Sequence, residues 1–431
     1  MYGAVSRLSA LLAAAKARNP PPTDSTSAAS PSIYNGDCCS LNIGYSPVAT
    51  ADQAQRLSTH SWEFGTTSEA LLELYNPEYS VFSKGAFPNA TAPETDVDAV
   101  PALCYARRYI ELDRPDGSLI DGHGATGDAA SLGISAILIG QSDHRYLDAA
   151  RRQFEHFNDS IPRWPNGAMS AREEHAELRA DFISMAPPFL AYYAFGLNET
   201  DVIRTAIMQC LLYRQVLQPN DTSASSYGLW QHIVGGPGNE DLGFWSTGNG
   251  RAAYGMARVL ASTLHFPPLQ ADKKAHIAIA DLFNWIGLIL HGAMRVGRDR
   301  SGLLRNYLDD VNWFGETSGT TLLTAAVYRL VVLQKEAHQL FVQQTKGIDG
   351  KIVERPVTPE LLKWADQNRQ AVAAHVDENG IASPAVNPLD WTDRTPYTKG
   401  SPEGESFLVM LYAAWRDCIQ AGVCHDESQN S

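Results

Sequence analysis

QRLSTHSWEFGTTSEALLELY, residues 55–75, decides the fold class. Leu57, Trp62, Leu71, Leu72 and Tyr75 recur at spacings near three and four, the period of a helix with one apolar face. Similar patterns return at 125–140, 145–157, 172–195, 199–217, 249–264, 271–294, 316–335, 358–376 and 403–420. Strand-like alternation is nearly absent, and GKIVERPV (350–357) is its best instance. Loops marked by Pro and Gly separate the helices at 76–96, 113–124, 161–170, 218–248, 296–312 and 377–401. About twelve helices in antiparallel succession, with no consensus repeat, predict one closed all-α array rather than an open solenoid. Six inner and six outer helices fit that count. The inner helices would then present their starts, and the long loops, at one end of a funnel.

The bulk numbers agree with a large globular core. Hydrophobic residues make up 44% of the 431 and charged residues 19%. A formal net charge of −14 opposes binding to nucleic acid or to an anionic membrane surface, so neither is expected as a partner. No apolar run approaches 18 residues. The six cysteines show no metal-ligand spacing, so a zinc site is not expected, while Cys418 and Cys424 could bridge a short loop. Four N-glycosylation sequons, at Asn89, Asn158, Asn198 and Asn220, hint at secretion, but LSALLAAAKA near the N-terminus is a poor signal segment. The compartment stays open between secreted and cytoplasmic. Residues 1–48, containing the low-complexity RNPPPTDSTSAASPS, read as an N-terminal helix and flexible connector, 49–424 as one domain and 425–431 as a tail.

Several stretches combine polar groups with aromatics in ways a core does not need. They are SWEFG (61–65), GHGATGDAASLG (122–133), RWPNGAMSAREEHAELRADFISMAPPFLAYYAF (163–195) and GLWQHIV…GFWSTGNGR (228–251). Asp181 is the most informative residue, since Phe182, Ile183, Met185, Phe189 and Leu190 surround it and Pro187-Pro188 interrupts helical bonding soon after. A carboxylate in such company is costly unless it is paired or protonated. Asp128 is either a partner carboxylate or part of an ordinary helix start. Glu316 and Glu403 are capping candidates first. Arg163, Arg172, Arg179, Arg251 and Lys399 include candidates to meet a carboxylate substrate. The Gly-Asn-Gly of residues 248–250 is not a nucleotide loop: Gly255 comes one position too late for G-x-G-x-x-G, and no buried strand precedes it.

These motifs resemble those of the six-hairpin glycosidases, specifically the unsaturated glucuronyl and rhamnogalacturonyl hydrolases of glycoside hydrolase families 88 and 105 in fungal form. The resemblance runs from about residue 50 to 422 and rests on SWEFG, the GD…LG helix start, ADFISMAPPFLAYY, GLWQH…WSTGNG, GETSG and SPEGESF. It implies an (α/α)6 barrel and places the catalytic carboxylate on Asp181 and a second acid on Asp128. Family members commonly carry Trp two residues before that Asp and after Gly-Asn-Gly; here Arg179 and Arg251 stand instead. An oligosaccharide is the implied substrate. Trp62, Trp230, His232, Trp245, Asn249, Arg251 and Met185 are the expected contacts, with Gly248 and Gly250 letting backbone approach sugar hydroxyls. The implied reaction hydrates the vinyl ether of a 4,5-unsaturated uronic acid at the non-reducing end of a lyase product and needs no metal or organic cofactor. Burial and repulsion from Asp128 would raise the pKa of Asp181 for that task. The rivals are an inverting glycosidase on the same barrel, a non-catalytic carbohydrate binder and a polysaccharide lyase.

Overall fold

The computed structural model describes residues 39–269 and 272–425. The chain divides into two units, Met1–Cys38 and Cys39–Ser431, and every described element lies in the second. The expected N-terminal helix lies outside the described residues.

Fourteen α-helices follow one another among the described residues: α1 (Pro47–Leu57), α2 (Ser61–Tyr75), α3 (Pro101–Ala106), α4 (Thr126–Ala130), α5 (Gly133–Gly140), α6 (His144–Asp159) and α7 (Ala186–Gly196). The second half holds α8 (Val202–Leu217), α9 (Ser246–His265), α10 (Lys273–Val296), α11 (Thr317–Glu336), α12 (His338–Val342), α13 (Pro359–Ala373) and α14 (Pro402–Gln420). Counting α4 and α5 as one interrupted helix, contacts run from α2 to α4, α5 to α7, α7 to α9, α9 to α11, α11 to α14 and α14 back to α2. That inner ring closes on itself. The outer ring backs it: α1 on α14 and α2, α3 on α2 and α5, α6 on α5, α8 on α7, α10 on α9 and α13 on α11. The all-α (α/α)6 expectation holds.

Sequence chemistry sets the helix ends. Ser46, Asp143, Asp272, Thr358 and Ser401 accept backbone N–H groups at the starts of α1, α6, α10, α13 and α14. Glu316 caps α11 through the N–H groups of Ser318 and Gly319. Proline occupies the first turn of α1, α3, α7, α13 and α14, where no N–H is needed.

Four expectations need correction. The 55–75 pattern is two helices, because Ser58–His60 turn the chain between α1 and α2. The 172–195 pattern hides a strand, β1 (Glu177–Arg179), and a 3₁₀ turn (Ala180–Ser184) ahead of α7. β1 pairs antiparallel with β2 (Ile233–Gly235), with Arg179 opposite Ile233. Pro187-Pro188 therefore starts a helix rather than breaking one. GKIVERPV forms no strand, only an isolated bridge between Lys346 and Ile352. The apolar-run count also missed α10, a 24-residue helix long and apolar enough to cross a membrane; 67% of its most apolar window is buried, and it packs on α9 and α13. Cys418 and Cys424 form a disulfide.

Candidate active site

The starts of the inner helices surround a cavity of about 420 Å³. α2 supplies Trp62, α4 supplies Asp128, the turn before α7 supplies Asp181 and Met185, α9 begins beneath Trp245 and contributes Arg251, and α14 contributes Glu403. His232, beside β2, and Trp391, from the loop before α14, complete one wall. Six helices that start at one end of a ring necessarily bring their first turns together. The funnel expectation rests on that geometry.

Two glycines let the carboxyl-bearing segments approach. A Cβ on Gly127 would stand 2.9 Å from the ring of Phe182 and 3.2 Å from Met185, so α4 could not then lie against the Asp181 turn. A Cβ on Gly255 would fall 2.1 Å from the carbonyl oxygen of Ile183, so α9 crosses the same turn only because residue 255 is glycine. Gly248 and Gly250 serve packing as well. Both are buried in the first turns of α9, against Trp245 and Ala180 and against Leu322, and present no open backbone to a sugar.

Asp128 is 9% exposed and accepts a long hydrogen bond from Ser61 Oγ at 3.4 Å. Burial and then the neighbouring Asp181 raise its pKa to about 7, against the opposing pull of Arg251, Arg179 and Arg172. Asp181 sits on the 3₁₀ turn, caps no helix, and its Oδ1 is shielded from solvent without any hydrogen-bond partner. Weakened acidity of this kind is therefore present on Asp128.

Arg251 is 3% exposed, which removes the possibility that it points to water. Its guanidinium is held by Glu403, by Ser184 Oγ at 2.8 Å and by Thr66 Oγ1 at 3.2 Å, and it lies over the Phe407 ring at 5.3 Å. Glu403 thus serves Arg251, while Ser401 does the capping expected of it. Arg179 donates from Nε to the buried Glu177 at 2.5 Å and lies 5.5 Å from the centroid of Trp391. Arg172 also lines the cavity, and its guanidinium makes no ion pair or hydrogen bond among the described residues.

His232 Nδ1 is bound to Asp241 Oδ2 at 2.9 Å, which in turn accepts from the Tyr307 hydroxyl. Hydrogen bonding to His232 and Tyr307 outweighs burial and holds the Asp241 carboxyl below the usual range, and as a carboxylate it accepts from Nδ1. The imidazole stacks obliquely on Trp245 at 4.4 Å and meets Trp391 edge-on at 5.1 Å. Trp245 Nε1 is anchored by Asn306 Oδ1 at 2.9 Å.

Seven of the nine expected residues therefore share the cavity: Asp181, Asp128, Trp62, His232, Trp245, Arg251 and Met185. Trp230 and Asn249 do not line it. Trp230 is fully buried, and Asn249 clamps it by accepting from Trp230 N and donating to Trp230 O, while also donating to Trp245 O. Their part is to hold the loop that carries His232. Sequence reasoning missed Trp391, although a tryptophan inside the polar, proline-marked NPLDWTDRTP was a usable signal.

The sequence profile of Glycosyl Hydrolase Family 88 matches residues 125–355, more than half of the chain. The chain belongs to this family. It is a glycoside hydrolase. No curated protein matches the family 88 chain at the sequence level. Among solved structures, a possible family 105 member from Salmonella enterica serovar Paratyphi A superposes with a TM-score of 0.64 at 15% identity, covering 93% of this chain and 100% of the other. A family 105 glycoside hydrolase from C. acetobutylicum gives 0.61 at 14% identity, with 86% and 99% covered. The unsaturated glucuronyl hydrolase of Bacillus sp. GL1, described as responsible for glycosaminoglycan degradation, gives 0.53 at 15% identity, with 87% and 96% covered. At such identities these likenesses establish the six-hairpin fold of the family 88 chain.

Proposed function

We propose that residues 49–424 form one catalytic domain that removes a 4,5-unsaturated uronic acid from the non-reducing end of lyase-generated oligosaccharides. The observation that carries this reading is the orphaned, solvent-shielded Oδ1 of Asp181 in the same cavity as Asp128. A buried acceptor without a donor is costly, and a proton of its own or a substrate hydroxyl would satisfy it. Asp181 delivers a proton to C4 of the vinyl ether, leaving an oxocarbenium ion across C5 and the ring oxygen. Water adds at C5 and loses a proton to the carboxylate pair, and Asp128 holds that water or a ring hydroxyl. The resulting hemiketal opens and expels the aglycone alcohol.

The arginines support a uronate substrate. Arg251 is satisfied by Glu403 and Arg179 by Glu177, which leaves Arg172 to receive the sugar carboxylate. Trp245, His232 and Trp391 form the wall for the ring face. The test is turnover of a 4,5-unsaturated disaccharide, followed as loss of absorbance of its conjugated double bond. Turnover of saturated glycosides alone would assign the cavity to an ordinary inverting glycosidase, and binding without turnover to a non-catalytic relative.

A further inference from the structure

A second cavity, of about 640 Å³, adjoins the first, and Asn239 and Trp391 line both. Its aromatic wall is Tyr307, Trp313 and Trp391, and its charge is one-sided. Glu240, Asp241, Asp309 and Asp310 face it against the single cation Arg394. Arg394 lies over the Trp313 ring at 4.5 Å and reaches Asp310 at 3.5 Å, while Asp241 is engaged by His232 and Tyr307. Glu240 and Asp309 are exposed and have no cationic partner among the described residues. The inner cavity, by contrast, has three arginines, Arg172, Arg179 and Arg251, beside Asp128, Asp181 and Glu403.

We propose that this outer cavity receives the sugar on the leaving-group side of the scissile bond and selects an uncharged one. The assignment rests on the uronide reading of the inner cavity for its orientation. Three features point the same way. The cavity is continuous with the reacting site through Trp391, a ring face against which a pyranose can pack. Its size suits one or two sugar rings. Its unmatched carboxylates repel a sulfate or a second uronate, whereas hydroxyl groups can donate to them. The inner cavity accepts the anion and the outer one rejects it, so a two-sugar substrate can bind in one direction only. The preferred substrates are then unsaturated disaccharides whose second sugar carries neither sulfate nor carboxylate.

The experiment measures equilibrium binding to Asp181→Asn protein with two probes. One is an unsaturated uronyl disaccharide with a neutral second sugar, the other its counterpart with a sulfated second sugar. At low salt the neutral probe should bind about tenfold more tightly or better. The difference should shrink severalfold at high salt, because exposed charges are screened beyond a Debye length of about 3 Å at 1 M. In a background carrying Glu240→Gln and Asp309→Asn as well, the low-salt preference should fall below threefold. Equal binding of the two probes at low salt, or a preference untouched by those substitutions, overturns the outer-cavity assignment. Turnover by the wild-type chain is read separately. If the neutral probe binds as stated but is never hydrolysed, the uronide reading fails and the outer cavity stands; if neither probe binds, both fail.

Discussion

The mouth and the floor of the barrel are built from the same residue types and treat them differently. Down the axis, α2 presents Trp62, Thr66, Glu69 and Glu73 at spacings of four, three and four, while α9 presents Arg251, Tyr254 and Arg258 at three and four. At the floor both oxygens of Glu73 are used. Oε1 accepts from Arg258 at 2.8 Å, and Oε2 accepts from Arg329 at 2.8 Å and from the Tyr254 hydroxyl. Arg329 also meets Asp417, and its guanidinium lies 4.1 Å from the Phe82 ring centroid. At the mouth, Asp181 Oδ1 has no partner and Asp128 has one long hydrogen bond. Glu69 marks the transition: its Oε1 is orphaned, Arg258 stands 3.7 Å from Oε2, and burial raises its pKa to about 7. A buried carboxylate with both oxygens engaged, like Glu73, holds helices together; one left without a partner where a cavity opens is available to a substrate.

Substitution at each end should separate these two roles. Asp181→Asn has the largest expected effect on turnover. Loss of a positioned general acid costs about 10²–10⁴ in rate, and the melting temperature should stay within about 2 °C because no protein hydrogen bond is lost. Steady-state rates with a thermal melt check it; a mutant keeping a tenth of wild-type activity would end the assignment. Glu73→Gln should do the opposite. It takes the shared charge partner from the buried Arg258 and Arg329, leaving them Glu69 and Asp417, and costs about 3–5 kcal/mol of stability, read by denaturant titration, with activity per folded molecule kept within about threefold.

Smaller shifts test the coupling of the pair. Burial and the neighbouring Asp181 raise Asp128 to about 7, and activity requires a protonated carboxyl in the cavity, so the wild-type rate should fall as pH rises through about 7. Asp128→Asn removes the like charge and should move that basic limb to lower pH while slowing the reaction; an unmoved limb would show that the carboxyls do not interact. Arg251→Gln should move the limb the other way, because Arg251 opposes the rise in Asp128. Its KM should change little with ionic strength, since Glu403 already neutralises the guanidinium in the wild type. A KM that is strongly salt-dependent in the wild type and flat in the variant would instead make Arg251 the uronate partner.

The helical period in 55–75 and its successors was enough to specify a closed double ring, because amphipathic spacing reports which face of each helix is covered whatever covers it. The acidic residue inside ADFISMAPPF stood out for a similar local reason, as a charge among apolar neighbours. The strand at 177–179 was invisible because three residues carry no period, and its partner lies more than fifty positions away. Gly-Asn-Gly looked like an open loop because glycine's freedom is a local property, whereas its use against Leu322 and Ala180 is not. Which arginine is spent and which is free could not be read from Arg172, Arg179 and Arg251 themselves. Their partners Glu177 and Glu403 stand at separations from two residues to 152, so only the folded chain decides the pairing. Local pattern thus determined the architecture and nominated the carboxylates. The charge balance of the two cavities, and the placement of the weakly acidic carboxyl on Asp128, came from tertiary contact, because electrostatic energy depends on distance and burial and not on order along the chain.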